Sequence, residues 1–591
     1  MLGRLTVLLL LGARLGTASA APAWLDGFDA WVDKALATWR VPGLAVAAVQ
    51  KGQVVLLRGY GQRDLRRGLP VTPATLFAIA SITKSFTVVT LAQLVAEGKL
   101  DWDRPVVEYL PGFALGDPLA SAQLTPRDLV SHRTGLARHD SLRLGHGQLR
   151  RSELLPRLRH LPLQQLPRTV FVYNNLMFSV AGHLAEVVAG RRWEDLVRQQ
   201  ILLPLGMKGT RVVPSEMQRS TDFALPYKLV GSQVKEMPFA GKTAVEGGPA
   251  GSITSSAEDM ARYLLFQLGD RPGVVPGIGP AELEEMHRPQ VVVPGTPLWP
   301  ELGADRYGLG WYVSSYRGRE LVWHTGSIGG FTAMLALLPQ ERIGVVAMAN
   351  LDGARLPNAV AYVLLDHLLG LAPLPWSERL LEARRAADNA LEEARRRGLS
   401  LRRPGTRPGH ELAEYSGRYT HPAYGTLRIE HRDGTLRLLM GEHAAPLEHF
   451  HHDIFAVPED PMNRLAGLKL SFLTDPRGTV SAVGVPLEPT AEDIVFARAP
   501  DEALLQPAVL DRLCGSYRLG AQLWRVSRRG TELQLLSPSG EVLRLRPRQG
   551  HAFDVVGRSW STIDFLLDEA GRARELVWHQ ADGSRVLPRL P

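Results

Sequence analysis

The sequence predicts an α+β protein in which a large N-terminal domain, with helices around an antiparallel sheet, precedes two small antiparallel β-barrels. Apolar residues recur at helical spacing in several segments before residue 300, and four strand-like runs follow between residues 309 and 350. After residue 410 the chain consists almost entirely of short strand-like runs. A chain of 591 residues with 45% hydrophobic content is long enough for three or four packed domains.

The first twenty residues predict a secretory signal peptide. A basic start at Arg4 precedes an apolar run from Leu5 to Leu11, and Ala18-Ser19-Ala20 matches an A-x-A cleavage site. Cys514 is the only cysteine, so an exported chain would contain no internal disulfide. No later run reaches the roughly 18 apolar residues of a membrane span. We therefore expect a soluble periplasmic or extracellular protein without stable membrane insertion.

The charge pattern gives no sign of a nucleic-acid partner. Lys and Arg number 68 and Asp and Glu 60, and this excess of 68 − 60 = 8 is spread along the chain without a basic block rich in aromatics. Four histidines close together, at 443, 449, 451 and 452, lack the spacing of metal ligands. The glycines of 247–251 lack the lysine and spacing of a P-loop. No metal and no cofactor are predicted.

The N-terminal domain should begin with a helix and a hairpin. Residues 24–39 carry an apolar stripe, and β-rich runs at 44–48 and 54–58 are joined across Gln50–Gln53. Further helices are expected from Ser81 to Gly98, after Thr125 as N-cap with Pro126 at the first position, from 176 to 188, and after a capping box at Ser255–Glu258. Strands at 309–314, 320–324, 331–338 and 343–350 then form an antiparallel meander, and a helix at 354–369 closes the domain.

A serine and a lysine three residues apart stand at the start of the second helix. Ser81 and Lys84 share a helix face, so the amine reaches the hydroxyl one turn away. A serine hydroxyl becomes a nucleophile only when a base removes its proton, and a lysine is such a base only where its surroundings keep it neutral. Alone, S-x-x-K is a weak signal, since a capping serine beside a solvated lysine gives the same pattern.

Two further short patterns follow in chain order. Tyr173 and Asn175 flank one residue in a loop just before a helix, where a loop tyrosine and a capping asparagine would be the simpler interpretation. His324 ends the second strand of the meander, and Gly326 and Ser327 follow in the turn-rich stretch that leads to the third strand. The three patterns together are far more specific than any one of them.

Together, S-x-x-K, Y-x-N and H-x-G resemble the motifs of the serine β-lactamase and penicillin-binding-protein superfamily, in particular its class C β-lactamases, D-aminopeptidases and β-lactamase-like esterases. The resemblance covers residues 25 to 372 and includes Leu129–Leu136, Pro204–Met207 and the loop ending at Gly251. It implies that Ser81 attacks a carbonyl and is acylated, while Lys84 and Tyr173 move its proton to the leaving group. Asn175 would hold the substrate amide, and the backbone N–H groups of Ser81 and Ser327 would form the oxyanion hole.

This chain departs from the family pattern at His324, which stands where a lysine holds the carboxylate of penicillins. An imidazole is mostly uncharged at pH 7, so the departure favours D-aminopeptidases or esterases over β-lactamases and D-alanyl-D-alanine carboxypeptidases. A catalytically idle penicillin-binding sensor on the same fold is the alternative of a different class. The expected partner is a small-molecule or peptide substrate.

The C-terminal part shows an internal repeat. Tyr415-Ser416-Gly417-Arg418-Tyr419 recurs in outline as Leu513-Cys514-Gly515-Ser516-Tyr517, about a hundred residues later. The predicted boundaries are therefore a signal peptide at 1–20, a hydrolase domain at 21–375, a charged helix and linker at 376–410, and lipocalin-like barrels at 411–500 and 501–591. The barrels could stabilise the chain, form a homo-oligomer, or extend a loop over the Ser81 cleft that limits substrate size.

Overall fold

The computed structural model describes residues 24–145, 149–239, 248–558 and 560–591. The predicted signal peptide and Gly247 lie outside these residues. None of the described helices is both long enough and apolar enough to cross a membrane.

A nine-stranded antiparallel sheet forms the centre of the N-terminal domain, and its strand order is β3-β2-β1-β13-β12-β11-β10-β9-β8. Two small pairs, β4 with β7 and β5 with β6, lie apart from it. The strands are β1 Gly43–Gln50, β2 Gln53–Asp64, β3 Leu69–Pro70, β4 Phe77–Ala78, β5 Tyr227–Val230, β6 Gln233–Glu236, β7 Thr254–Ser255, β8 Val291–Val292, β9 Arg306–Tyr307, β10 Tyr312–Tyr316, β11 Arg319–Ile328, β12 Phe331–Leu338 and β13 Ile343–Ala349.

Helices cover both faces of the large sheet, as alternate residues of its strands enter two separate cores. One face packs on α1, α14 and α15, and the other on α2, α12 and the remaining helical region. The helices are α1 Trp24–Trp39, α2 Thr83–Ala96, α3 Val106–Tyr109, α4 Pro118–Gln123, α5 Pro126–Val130, α6 Arg151–Leu158, α7 Asn175–Ala189, α8 Trp193–Val197, α9 Leu203–Leu205, α10 Pro214–Met217, α11 Gly248–Gly251, α12 Ala257–Gln267, α13 Pro280–His287, α14 Leu356–Leu368, α15 Trp376–Ser400 and α16 Pro507–Leu513.

Two local predictions were wrong by a small shift. The cap of α12 is Ser256, whose side chain accepts from the Asp259 N–H, because Ser255 is already paired with Phe77 as the end of β7. Strand β11 does not end at His324 but continues to Ile328, because Gly329 and Gly330 alone turn the chain and Ile328 pairs directly with Phe331. A two-residue hairpin needs positive φ, which glycine supplies, and Gly330 has φ of 85°.

The first C-terminal sheet is a closed barrel of eight strands, here called barrel 1. Its strands are β14 Gly417–His421, β15 Gly425–Arg432, β16 Thr435–Met440, β17 His443–His451, β18 Ile454–Ala456, β19 Lys469–Thr474, β20 Val480–Val485 and β21 Ile494–Arg498. The buried side chains of barrel 1 belong to the same continuous core as those around α2. Barrel 1 is therefore packed onto the helical side of the N-terminal domain.

The second C-terminal sheet also has eight strands and is here called barrel 2. Its strands are β22 Gly515–Leu519, β23 Gln522–Arg529, β24 Glu532–Leu536, β25 Val542–Pro547, β26 Ala552–Val555, β27 Thr562–Leu567, β28 Ala573–Gln580 and β29 Gly583–Pro588. A bridge between Tyr517 and Arg589 brings its first and last strands together. Its apolar side chains form a core of their own. The prediction of two small antiparallel barrels is confirmed.

Candidate active site

Ser81 lies in a single 3₁₀ turn, Ala80–Ile82, that leads directly into α2. Its hydroxyl caps no helix, since the residue at the N-cap of α2 is Ile82. Ala80 has a φ of 46°, a left-handed conformation that costs a residue with a side chain about 1–3 kcal/mol. The packing around the turn must supply that energy, because every residue of α2 from Thr83 to Leu94 is buried.

Lys84 is fully buried, and three oxygens surround its amine. Its Nζ lies 2.8 Å from Asn175 Oδ1, 2.8 Å from the Ala250 carbonyl oxygen and 3.1 Å from Ser81 Oγ. A neutral amine has two N–H donors and one lone pair, so the first two oxygens can take the protons while the lone pair accepts the Ser81 O–H. Burial holds the pKa of Lys84 well below its ordinary value, which favours this neutral form.

The two asparagines at the N-terminal end of α7, Asn174 and Asn175, have separate roles. Asn174 is the N-cap, since its side chain accepts from the Met177 N–H, and this leaves the side chain of Asn175 free for Lys84. Asn175 Nδ2 in turn donates to Asp140 Oδ1 at 2.9 Å. The contact fixes the Asn175 amide with its oxygen towards Lys84.

The Tyr173 hydroxyl lies beside Ser81, close enough for the Ser81 hydroxyl to influence its pKa. Burial raises the pKa of Tyr173 above its ordinary value, so the phenol keeps its proton at neutral pH. The Lys84 amine lies 4.8 Å from the centre of the Tyr173 ring and the Arg138 guanidinium 5.0 Å from it. The tyrosine is therefore placed to relay a proton rather than to act as a tyrosinate base.

Strand β11 passes directly beside the Ser81 turn. A side chain at Gly326 would place its Cβ 2.1 Å from the Ile79 carbonyl oxygen, so glycine is required for this close approach. Strand β10 pairs with β11 only as far as Trp323, and beyond that point the β10 side of β11 is open. Because Ile328 and Phe331 close the hairpin, the backbone N–H of Ser327 falls on that open side, where a substrate oxygen can reach it.

His324 lies on the same face of β11 as Gly326, but both of its ring nitrogens are already hydrogen-bonded within the protein. Nδ1 lies 2.6 Å from the Thr325 carbonyl oxygen and must donate to it, so Nε2 is the acceptor for the Tyr307 hydroxyl at 3.1 Å. Burial is the main cause that lowers the pKa of His324 to about 3. The histidine is a neutral, internally bonded group and offers no positive charge to a substrate carboxylate.

A cavity of about 520 Å³ adjoins the face of β11 that carries Trp323 and Thr325, and Ser327 also lines it. Trp299, Trp323, Asp305 and Arg355 are among the residues that line it. Its volume is in the range of sites for small organic ligands. The cavity meets the candidate site at Gly326 and Ser327, whereas Ser81, Lys84 and Tyr173 do not line it.

The structure thus brings all of the predicted residues together and adds some that the sequence did not indicate. The Ala250 carbonyl oxygen contacts the Lys84 amine directly, and the Asp140 carboxylate orients it through Asn175. The Tyr307 hydroxyl fixes the His324 ring. Ala250 lies in the short helix α11, in a glycine-rich stretch for which the sequence predicts only a loop. No spacing rule relates Asp140 or Tyr307 to Ser81, because tertiary packing alone brings them near.

Comparison with known proteins places this geometry in a family. Residues 28–369 match the β-lactamase family model. Residues 401–498 match a domain of unknown function, DUF3471, and comprise the connection after α15 together with barrel 1. The chain is 30% identical to the unguisins hydrolase ungD′ of Aspergillus campestris, over 78% of this chain and 89% of that protein.

Two further matches are a protein of similar sequence and a solved structure of the same fold. Protein flp of Staphylococcus aureus is 25% identical over 57% of this chain and 65% of its own length. The octameric penicillin-binding protein homologue from Pyrococcus abyssi has the same fold, with a TM-score of 0.53 and 23% identity over 80% of this chain and 99% of that one. The chain belongs to the β-lactamase family and is a serine hydrolase.

Proposed function

We propose that the protein is an exported hydrolase that cleaves amides or esters through an acyl-enzyme on Ser81, acting as a D-aminopeptidase or other D-stereospecific peptidase, or as a carboxylesterase. The observation that carries this proposal is the environment of Lys84. Its buried amine can donate to Asn175 Oδ1 and the Ala250 carbonyl oxygen, which leaves its lone pair for the Ser81 hydroxyl. Residues 1–20 support export by their signal-peptide pattern.

In the acylation step Ser81 Oγ attacks the substrate carbonyl carbon while Lys84 Nζ takes the hydroxyl proton. The oxyanion that forms is held by the backbone N–H groups of Ser81 and Ser327, on the turn and on the open side of β11. The neutral Tyr173 phenol donates its proton to the leaving nitrogen or oxygen and regains one from Lys84. Water then attacks the acyl-enzyme by the same steps in reverse order.

The neutral His324 supports the choice among substrates. Penicillins lose the attraction between their carboxylate and the lysine that His324 replaces. A substrate that has no carboxylate near His324 loses no binding energy through this replacement. We therefore expect esters or D-aminoacyl amides to exceed nitrocefin in kcat/KM by at least roughly tenfold, which corresponds to about 1.4 kcal/mol.

A hydrolysis panel tests this expectation. Purified mature protein is offered nitrocefin, a D-alanine p-nitroanilide, its L-enantiomer, a D-Ala-D-Ala peptide and a short p-nitrophenyl ester. His324→Lys is the informative variant, because it should raise the rate on nitrocefin relative to the ester. Nitrocefin as the best substrate of the unaltered protein would overturn the proposal.

One observation favours β-lactamase or D-alanyl-D-alanine carboxypeptidase activity as a second candidate. Arg355 lines the cavity beside Ser327, so a substrate carboxylate directed away from His324 would still meet a cation there. Under this alternative Arg355→Ala lowers kcat/KM for nitrocefin far more than for the uncharged ester. Equal effects on both substrates would remove the reason for considering it.

We further propose that barrel 1 limits the size of the substrate. The loop 457–468 of barrel 1 reaches the hairpin that ends β11, where Arg464 comes within 4.0 Å of the position a Cβ on Gly329 would occupy. Lys228 also donates to the Pro461 carbonyl oxygen at 3.0 Å. Because this loop lies at the rim beside Ser327, shortening it should speed the cleavage of bulky esters but leave acetate esters unchanged.

A further inference from the structure

One segment connects the catalytic groups to barrel 1. Residues 138–145, here called the bridging segment, run between the N-terminal end of α7 and the loops of barrel 1. A Cβ on Gly145 would lie 2.3 Å from the Tyr424 carbonyl oxygen. A Cβ on Gly441 would lie 2.2 Å from the Leu144 carbonyl oxygen. The two backbones are therefore in direct contact, without side chains between them.

On its inner side the bridging segment presents two charged residues to the active site. Asp140 accepts from Asn175 Nδ2, and Asn175 Oδ1 is one of the acceptors of the Lys84 amine. The Arg138 guanidinium lies over the Tyr173 ring and is paired with Asp140 at 2.6 Å. The position of this segment thus determines the surroundings of both Lys84 and Tyr173.

On its outer side the segment is held by two buried residues of barrel 1. Glu488 Oε2 accepts from the His139 backbone N–H at 2.6 Å, and the Tyr424 hydroxyl lies 2.8 Å from His139 Nδ1. Tyr424 is fully buried and Glu488 is 2% exposed. Glu488 Oε1 accepts from the Thr490 hydroxyl at 2.8 Å, so the carboxylate is fixed at both oxygens.

His139 is the residue that needs this support. It is fully buried and has φ of 45° and ψ of 34°, the left-handed conformation that an L-residue with a side chain adopts at a cost of about 1–3 kcal/mol. A strained residue persists only where its neighbours fix it. Because His139 lies directly between Arg138 and Asp140, its conformation sets the direction of both charged side chains.

We propose that Glu488 and Tyr424 of barrel 1 are positioning residues for the hydrolase, which hold His139 so that Arg138 and Asp140 stay against Tyr173 and Asn175. Barrel 1 then completes the active site from outside the catalytic domain. This inference rests on the proposed roles of Ser81 and Lys84.

The variants follow from the contacts. Glu488→Ala leaves the His139 N–H without its acceptor, and Tyr424→Phe removes the hydroxyl from His139 Nδ1. Glu488→Gln is the conservative variant, since a glutamine keeps one oxygen for the His139 N–H and can donate to the Thr490 hydroxyl. Tyr419→Phe is the matched control, because Tyr419 is an equally buried tyrosine of barrel 1 whose hydroxyl donates to the Tyr415 carbonyl oxygen instead.

The readout is the second-order rate of labelling by a fluorophosphonate probe, measured on full-length protein whose thermal midpoint is recorded alongside. We expect Glu488→Ala to label about 10- to 100-fold more slowly and Tyr424→Phe at least about fivefold more slowly, as small misplacements of catalytic groups do. Glu488→Gln and Tyr419→Phe should remain within about threefold of the unaltered protein.

A normal labelling rate for Glu488→Ala, or equal slowing by Tyr419→Phe and Tyr424→Phe, would overturn the inference. Should Glu488→Ala fail to fold, the two tyrosine variants decide the question by themselves. If the unaltered protein does not react with the probe at all, the proposed function fails and the inference fails with it. Labelling of the unaltered protein with unaffected variants refutes the inference alone.

Discussion

The two barrels are built alike but are attached differently. In each, a tyrosine of the first strand donates to the carbonyl four residues earlier, Tyr419 to Tyr415 at 2.8 Å and Tyr517 to Leu513 at 2.6 Å. In each, an arginine of the last strand or just after it donates to the residue before the first strand, Arg498 to Ser416 at 2.6 Å and Arg589 to Cys514 at 2.7 Å.

The two barrels differ in the parts of the protein that they contact. Barrel 1 shares its apolar core with the helices around Ser81 and contacts the bridging segment. Barrel 2 has a separate core and meets barrel 1 through ion pairs such as Arg548 with Asp475 at 2.5 Å. The same fold thus occurs once as part of the catalytic unit and once as an appended domain, and the loops rather than the strands make the difference.

Removal of both barrels should have the largest effect. A chain that ends at Arg397 would expose the part of the continuous core that barrel 1 covers and would lose Glu488 and Tyr424. We expect it to be insoluble or to react with fluorophosphonate at least about 100-fold more slowly than the full chain. Soluble fraction and labelling rate measure this. A soluble product with unchanged rate and substrate ranking would contradict both proposed roles of barrel 1.

The second largest expected effect is a loss of stability of the catalytic domain at acidic pH. Burial is the main cause that lowers the pKa of His132, lowers that of His287 to about 4 and lowers that of His324 to about 3. The unfolded chain therefore binds more protons than the folded one below pH 6.5, so stability present above that pH is lost as the pH falls towards 4. At pH 5 His287 and His324 should each lower the free energy of unfolding by about 2 kcal/mol.

Urea unfolding at pH 7.5 and pH 5, followed by tryptophan fluorescence, measures this loss. His287→Leu is the control, since it removes one buried imidazole outside the active site and should reduce the difference between the two pH values. If the midpoints at the two pH values are equal, these histidines are not buried as neutral groups.

Removal of barrel 2 alone should have the smallest effect. A chain that ends at Pro500 keeps the closed barrel 1, with β14 paired to β21, and every contact of the bridging segment. We expect labelling and hydrolysis within about twofold of the full chain, a change of less than about 0.5 kcal/mol. A tenfold loss of activity in a chain that remains folded would show that the two barrels do not differ as described.

Local patterns were sufficient to predict both barrels and to identify Ser81, Lys84 and Asn175 as residues that the fold brings together. Ser81 and Lys84 share one helical turn, and the recurrence of Tyr415–Tyr419 at Leu513–Tyr517 marks the start of each barrel in sequence alone. The end of β11 was missed because a stretch of Gly, Ser and Thr favours a turn locally, whereas pairing with β12 extends the strand. Asp140 and Glu488 were not foreseen, since residues 349 positions apart such as His139 and Glu488 meet only through the packing of two domains.

The central claim is that Lys84 activates Ser81, and fluorophosphonate labelling followed by peptide mass spectrometry tests it most directly. We predict an adduct on the peptide that contains Ser81, none in Ser81→Ala, and labelling of Lys84→Ala at below about 1% of the normal rate, because the two residues act as one unit. Ser81→Ala should retain the normal thermal midpoint, because the Ser81 hydroxyl caps no helix. Lys84→Ala should unfold at a lower temperature, because it leaves Asn175 Oδ1 and the Ala250 carbonyl oxygen without their buried donor. An adduct on another serine, or undiminished labelling of either variant, would contradict the account.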